Sequence, residues 1–344
     1  MSDKPFDYWT FFAEDARRTG SEFYARLAEG IGTNEELKAL AAKAKPGQPH
    51  ANMLLGSVHY LLLRGADHPL RRFYSKLHNG PRPEGEDPFP LFQDFVARHR
   101  AELETLIATR VTNTNEVGRT ALLHPGFRMA ARQSGEPLHL IEIGPSAGLN
   151  MIWDRYGVRY RKNGETFIEI APDAPLVIEC ELRGDKLPPA GPTPKIASRV
   201  GIELSPVDLS KSEDRDWLRA LMWPDQIARG ERLDRAIALF QKEKPPIVSG
   251  DALALLPDAL RRVPEDQPVC VYHTIVVYQF SREMREALAN ILTLAGLRRP
   301  LWELAFDFDG KDYPLSLTRY HDGVRDKQRL ANSHPHGTWL EWLV

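Results

Sequence analysis

The chain of 344 residues holds only two cysteines, Cys180 and Cys270. Neither a disulfide framework nor a cysteine zinc cluster can be built from them. Both fall in stretches expected to be strands, where a small apolar thiol serves as filler. An excess of one charge is also missing: 45 Lys and Arg against 47 Asp and Glu leave a formal net charge of -2. No global field gathers phosphates, so nucleic acid is not an expected partner, whereas a small molecule or a protein is. Long hydrophobic runs are absent too. The most apolar helical stretch, "ANMLLGSVHYLLL" at 51–63, is interrupted by Ser57 and His59 and is too short to span a bilayer. It reads as a buried helix, and no membrane association is expected. The opening "MSDKPFDYWTFFAEDARR" mixes acids and bases and lacks an apolar core, so it does not read as a secretory signal and a cytoplasmic location is expected.

What is present is an ordinary globular composition, 42% hydrophobic and 27% charged, long enough for one large domain or two medium ones. From Tyr8 to about Arg132 apolar residues recur at three and four, which predicts helices and a helical subdomain over 1–132. Within it "PRPEGEDPFP" (81–90) reads as an exposed connection, followed by a helix over "LFQDFVARHRAELETLIATR". At "PLHLIEI" (137–143) the texture changes, and strands alternate with helices from there on, so 133–344 is expected to form an α/β core. Strands are placed at 138–143, 199–204, 246–249, 268–273 and 300–307, and helices near 148–156, 213–230, 252–262 and 281–295. The stretches "YPLSLTRYHDG" and "GTWLEWLV" alternate apolar with polar and are expected to close a mostly parallel sheet with an antiparallel hairpin. An insertion at about 157–198, with "ETFIEIA" and "LVIECELRG", reads as a β-hairpin flap.

The segment "IEIGPSAGLN" (141–150) admits two readings. As Gly144-Pro145-Ser146-Ala147-Gly148 it has the Gly-x-Ser-x-Gly form of a hydrolase's nucleophile elbow, with Asp307, His334 and His336 downstream in Ser, Asp, His order. That elbow ordinarily follows several strands, one of which leads into the oxyanion loop, and the preceding chain offers none. As an acidic strand end running into small residues, the same segment can cradle a polar ligand. Gly144, Ser146, Ala147 and Gly148 permit a sharp turn, and the following helix start presents free N–H groups. The loop misses the Gly-x-Gly-x-x-Gly spacing of nicotinamide cofactors.

This loop resembles the first motif of S-adenosylmethionine-dependent methyltransferases, an acidic strand end, Glu142, followed by Gly-x-x-x-Gly. More widely, "TNTNEVGRTALLHPGF" (112–127), "LIEIGPSAGLNMIWDRYGVRY" (140–160), "RVGIELSPVDL" (199–209), "VSGDALALLP" (248–257) and "VYHTIVVYQF" (271–280) resemble an uncharacterised bacterial domain-of-unknown-function family with a methyltransferase-like core. The resemblance implies a Rossmann-like sheet and a cofactor pocket for S-adenosylmethionine, without naming a methyl acceptor. It implies that Glu203, at a strand end, accepts from the ribose hydroxyls, although a solvated acid is an equal reading. It implies that Asp251 lies near the adenine amine, where Asp also serves as a helix N-cap. Asn115 and Glu116 are expected to bind the amino or carboxylate group at the methionine end, or the substrate, and Asn150 after the loop is expected to bind the cofactor, while Thr114 or Asn115 can equally cap a helix. His273 and Tyr278, after the fourth strand, would face the acceptor; His273 is a candidate base, or a hydrogen-bonded core histidine. The Asn/Asp-Pro-Pro-aromatic tetrad of many amine methylases is absent. His334-Pro335-His336 spaces two imidazoles as metal ligands can be spaced, yet no acid or cysteine partner is nearby and no metal is expected. "RYHDGVRDKQR" (319–329) reads as a solvated loop. A non-catalytic module that keeps the sheet for folding or partner binding stays open as a third possibility.

Overall fold

A computed structural model describes residues 7–78, 80 and 82–344. They form two compact units, one of Met1–Thr114 with Asp208–Asp234, the other of Asn115–Val207 with Arg235–Val344.

The first unit is helical: α1 (Tyr8–Arg18), α2 (Glu22–Gly32), α3 (Glu35–Ala41), α4 (His50–Leu63), α5 (Phe89–Arg98) and α6 (Arg100–Thr109). The same unit takes in the later α8 (Ser212–Ala220). Side-chain caps start several of them: Asp7 accepts from Trp9 N at 3.1 Å and Asn34 from Leu37 N at 3.0 Å, each satisfying an N–H that the first turn leaves free. The apolar stretch at 51–63 becomes α4, buried from Ala51 to Tyr60 except at Asn52, around which Trp9, Phe23, Phe73, Phe95 and Trp217 pack. The single helix expected after residue 90 is two, because His99 leaves helical geometry at φ -111°, ψ 24°.

The second unit contains one sheet of eleven strands. In chain order they are β1 (Leu138–Ile143), β2 (Gly157–Lys162), β3 (Glu165–Ile170), β4 (Val177–Arg183), β5 (Ile196–Glu203), β6 (Ile247–Ser249), β7 (Val269–Thr274), β8 (Leu301–Phe306), β9 (Pro314–His321), β10 (Val324–Ser333) and β11 (Trp339–Trp342). Their spatial order is β3-β2-β4-β11-β10-β9-β8-β7-β1-β5-β6. The block β8-β7-β1-β5-β6 is parallel throughout. The protein is thus α/β with a mostly parallel mixed sheet, and the antiparallel hairpin β9–β10 lies near its C-terminus.

Helices cover both faces of the parallel block. On one, Ile141, Ile143, Ile202, Val269, Val271 and Leu301 meet the leucines of α10 (Ala252–Arg261) and α11 (Arg282–Gly296). On the other lies α7 (Thr120–Ser134), whose Phe127 stacks on Trp153 at 4.7 Å and meets Tyr272 edge-on at 4.9 Å. A Cβ on Gly126 of α7 would come within 2.7 Å of the Leu304 side chain, so that leucine packs directly on the helix backbone there. Covered on both faces, β7 is buried at all six positions, which is why "VCVYHT" reads as a continuous apolar run.

Five expectations are corrected. The 157–198 segment is no flap: β2 and β3 form the hairpin, and β4 pairs parallel with both β2 and β11, which extends the main sheet. The closing hairpin joins β9 to β10, not to 337–344, and the charged 319–329 stretch is strand. The first part of β10, from Val324 to Arg329, pairs on one side only, and such an edge tolerates the charges that suggested a loop. In place of a regular helix at 148–156 stands a 3-10 turn, Leu149–Arg155, broken at Ile152. The helix expected over 213–230 is α8 followed, after a break, by α9 (Ile227–Glu243). Among the described residues no helix is long and apolar enough to cross a membrane.

Candidate functional site

Strand β1 sits at the centre of the parallel block, flanked by β5 and β7, and strand order reverses on either side of it. Ligands of open α/β sheets sit at the carboxyl ends of the strands beside such a reversal. The chain leaves β1 through Gly144, Ser146 and Gly148, all at positive φ (67°, 56° and 80°). Ser146 is the costly one, since a side chain in the left-handed region is strained unless its surroundings hold it. What holds it is Glu203 at the end of β5, whose Oε2 accepts from Ser146 N at 2.7 Å while Oε1 accepts from Ser205 N at 3.0 Å. Val207 N reaches Ser146 O at 3.3 Å on the far side.

The loop is also covered closely. A Cβ on Gly144 would meet Val276 at 2.7 Å, and one on Gly148 would meet Phe240 and Ile247 at 2.8 Å. Ala147 is wholly buried. Val276 follows Ile275, a β-branched residue at φ 58° whose N–H donates to Phe306 O at 2.6 Å. The strained turn after β7 is what lays Val276 on the glycine.

Most of the residues named from sequence converge here. Asn115 Oδ1 accepts from Leu149 N at 2.7 Å, and Asn150 Nδ2 donates to Glu116 O at 3.3 Å. Glu116 Oε1 accepts from Gly118 N at 2.9 Å, a cap on a short 3-10 turn. Asn150 Oδ1 is buried with no hydrogen-bond partner. Asp251 follows β6 and accepts from Leu253 N at 2.8 Å as the N-cap of α10. Asp251→Ala is therefore expected to cost about 1 kcal/mol, the usual worth of such a cap, read as a lowered urea midpoint.

Glu142 turns under the loop onto the α7 face, where its Oε2 accepts from Tyr272 Oη at 2.8 Å. Burial, reinforced by the neighbouring Glu203, pushes this carboxyl up to about 8, against the pull of the Tyr272 bond and the charges of Arg119 and His273.

His273 lies in an ion-paired network. Its Nδ1 is 2.6 Å from Asp307 Oδ2 and its Nε2 3.4 Å from Glu303 Oε1, and Tyr320 Oη donates to Glu303 Oε2 at 2.8 Å. The two carboxylates outweigh burial and raise the imidazole to about 9. With both nitrogens engaged by acceptors, His273 has no lone pair to offer as a base. Asp307 further accepts from Val277 N at 3.1 Å and Tyr278 N at 3.4 Å, so it fastens the turn that carries Val276. Tyr278 is tied in through its backbone; its side chain is 44% exposed.

The hydrolase elbow finds little support in this arrangement. Asp307, its candidate acid, serves His273, and His334 Nδ1 accepts from His336 N at 3.2 Å. The elbow's second requirement, strands preceding the nucleophile, fails because β1 is the first strand of the sheet.

Sequence reasoning passed over Arg119, which is buried at the same edge. Its Nη1 donates to Thr274 O at 2.9 Å and Oγ1 at 3.2 Å, and its Nε to Pro335 O at 3.0 Å. Tyr272 and Glu303 were passed over as well. An arginine following "TNTNEVG" and a glutamate inside an otherwise apolar strand, "LWELAF", were the available signals, since a charge in a core segment needs a partner.

Fold and site together define an α/β protein whose central parallel strand ends in a glycine-bracketed, carboxylate-braced loop. Residues 7–342 match the family described as "Uncharacterized protein conserved in bacteria (DUF2332)", and the chain belongs to that family. No curated protein and no solved structure matches it.

Proposed function

We propose that this protein binds S-adenosylmethionine, or a cofactor of that adenosyl type, at the carboxyl ends of β1, β5 and β6, as a Rossmann-like, methyltransferase-like protein. The observation that carries the reading is the bond from Ser146 N to Glu203 Oε2, which joins the loop after β1 to the carboxylate ending the neighbouring parallel strand. The parallel strands, counted in chain order as a set of five, run 3-2-1-4-5 across the sheet, an order shared with nucleotide-binding doubly wound sheets.

The residues fit such a group. Gly144 and Gly148 free the loop of side chains, and the space beside them is held by Val276, and by Phe240 and Ile247, which a ligand would displace. Glu203 is oriented by two backbone N–H groups and, as a carboxylate with about four lone-pair sites, keeps capacity for two ribose hydroxyls. Asn150 Oδ1, buried and unpartnered, suits an ammonium group. Asp251 can offer its Oδ2 to an adenine amine while Oδ1 caps α10. When bound, such a cofactor supplies an electrophilic methyl group on a sulfonium. These residues bind and orient, and Val276 keeps water from the loop. With a formal charge of -2, a small molecule or a protein is favoured as acceptor over nucleic acid.

Titration calorimetry with S-adenosylmethionine and its demethylated product tests the reading. Heat of one-to-one binding is expected, with affinity about tenfold weaker in Glu203→Ala, the loss of a charged hydrogen-bond acceptor being worth a little over 1 kcal/mol. A second reading, a sheet kept for folding without a ligand, is favoured by the close seating of Val276 on Gly144. No heat with either ligand at millimolar concentration selects that second reading.

A further inference from the structure

Away from the glycine loop, on the face of α7 turned to β2 and β4, a buried arginine lacks an anion. Arg128 is 5% exposed. Its Nη1 donates to Pro192 O at 2.5 Å, while Nε and Nη2 are buried with no hydrogen-bond partner. Burial and the neighbouring Arg132 hold this guanidinium below its ordinary value, and the one group raising it is the hydroxyl of Tyr160. That hydroxyl donates to Ala121 O at 2.5 Å and cannot neutralise a charge. Among the described residues no carboxylate is hydrogen-bonded to Arg128. A buried cation without a counter-ion is expensive to keep, and the two empty donors are not scattered. Nε and Nη2 form the edge of the guanidinium fork that takes two oxygens of one carboxylate or phosphate at once.

We propose that Arg128 and Arg132 form a binding site for a small oxyanion, a carboxylate or a phosphate group, beneath the 184–195 connection. Arg128 grips two oxygens through Nε and Nη2. Arg132, one turn further along α7 and exposed, adds a second positive charge at the mouth. The cover is a segment rich in proline and glycine, "GDKLPPAGPTPK". It crosses the guanidinium at Gly191, whose φ of 127° and absent Cβ let the chain pass where a side chain would come within 3.2 Å of Nη1. This segment moves aside for the anion, and the Nη1 bond to Pro192 O is given up as it opens. The site is separate from the glycine loop, since Arg128 lies eight residues, about 12 Å at 1.5 Å per residue, from the start of α7, and it does not depend on the cofactor reading.

The test is titration of the full-length protein with inorganic phosphate and, separately, with succinate, followed by calorimetry and by thermal shift. Saturable one-to-one binding of at least one of them is expected. Arg128→Lys, which keeps the charge and loses the fork, should weaken it at least tenfold, and Arg132→Ala, at an exposed position that leaves folding intact, should weaken it several-fold. Binding of phosphate alone identifies a phosphate ligand, binding of succinate alone a carboxylate, and both support the site. Absence of saturation with both probes at millimolar concentration, or undiminished binding in Arg128→Lys and Arg132→Ala, overturns it.

Discussion

Glu142→Gln is expected to make the protein more stable at neutral pH. The carboxyl lies wholly within the α7 face of the sheet, and burial pushes it from its ordinary 4.5 up to about 8. At pH 7 it is therefore protonated when folded and ionised when unfolded. Holding that proton from 4.5 up to pH 7, at about 1.4 kcal/mol per pH unit, amounts to about 3 kcal/mol. Because the folded value is the higher one, the contribution of Glu142 is fully present below pH 4.5 and is lost as pH rises through 8. Glutamine keeps an oxygen to accept from Tyr272 Oη and has no proton to lose. Urea unfolding at pH 5, 7 and 8 should show wild type weakening more steeply than the variant over that range, the variant exceeding it by about 3 kcal/mol at pH 7. A variant destabilised equally at all three values would mean that the carboxylate is ionised when folded and paired with a cation such as Arg119. Since the substitution leaves Ser146 and Glu203 untouched, cofactor affinity should change little unless Glu142 itself meets the ligand.

The same residue shows how far the sequence could be read. Alternation of short apolar runs with helical periods was enough to place β1, β5, β6, β7 and β8; β1 and β7, buried on both faces, cannot hide their composition. The loop after β1 was legible for a related reason: glycines at fixed spacing betray positive φ. Two hairpins had equally loud signals that were passed over. Asn163-Gly164 and Asp322-Gly323 sit at φ 54°, 82° and 50°, 76°, the two-residue turns that match strand twist, and they join β2 to β3 and β9 to β10. The charges flanking the second suggested a loop, yet a strand exposed on one face carries charge readily. In the sequence His273 reads as either a base or a hydrogen-bonded core histidine, but its two carboxylate partners were not legible. His273 meets Asp307 and Glu303 only because β7 and β8 lie side by side in register, with His273 opposite Ala305, and no local spacing announces a partner thirty or more residues away. The orphaned edge of Arg128 is invisible in the same way, since what marks it is a missing partner in space.

Asp307→Asn should undo both the charge on His273 and the turn that covers the glycine loop. In the folded protein the imidazole is raised from 6.5 to about 9 by Asp307 and Glu303 against the penalty of burial. Its contribution is fully present below pH 6.5 and disappears as pH rises through 9, a span worth about 3 kcal/mol. Asparagine removes one of the two charges and turns an amide N–H₂ toward either the imidazole or the backbone N–H groups of Val277 and Tyr278, all of which Asp307 now serves as acceptor. Loss of stability at pH 6 of about 3 kcal/mol is expected, as for removal of one partner of a buried ion pair, and it should shrink toward pH 10, where the wild-type imidazole is already neutral. Proton NMR of the imidazole should show its titration moved well below 9; an unmoved titration would sink the account and leave Glu303 as the controlling charge. The variant also reaches the cofactor question from a side that does not touch the loop. Asp307 pins Val277 and Tyr278, and Ile275 just before them is strained, so a loosened turn lets Val276 leave Gly144. If Val276 is a side chain that a ligand must displace, affinity for S-adenosylmethionine should rise in Asp307→Asn even as stability falls.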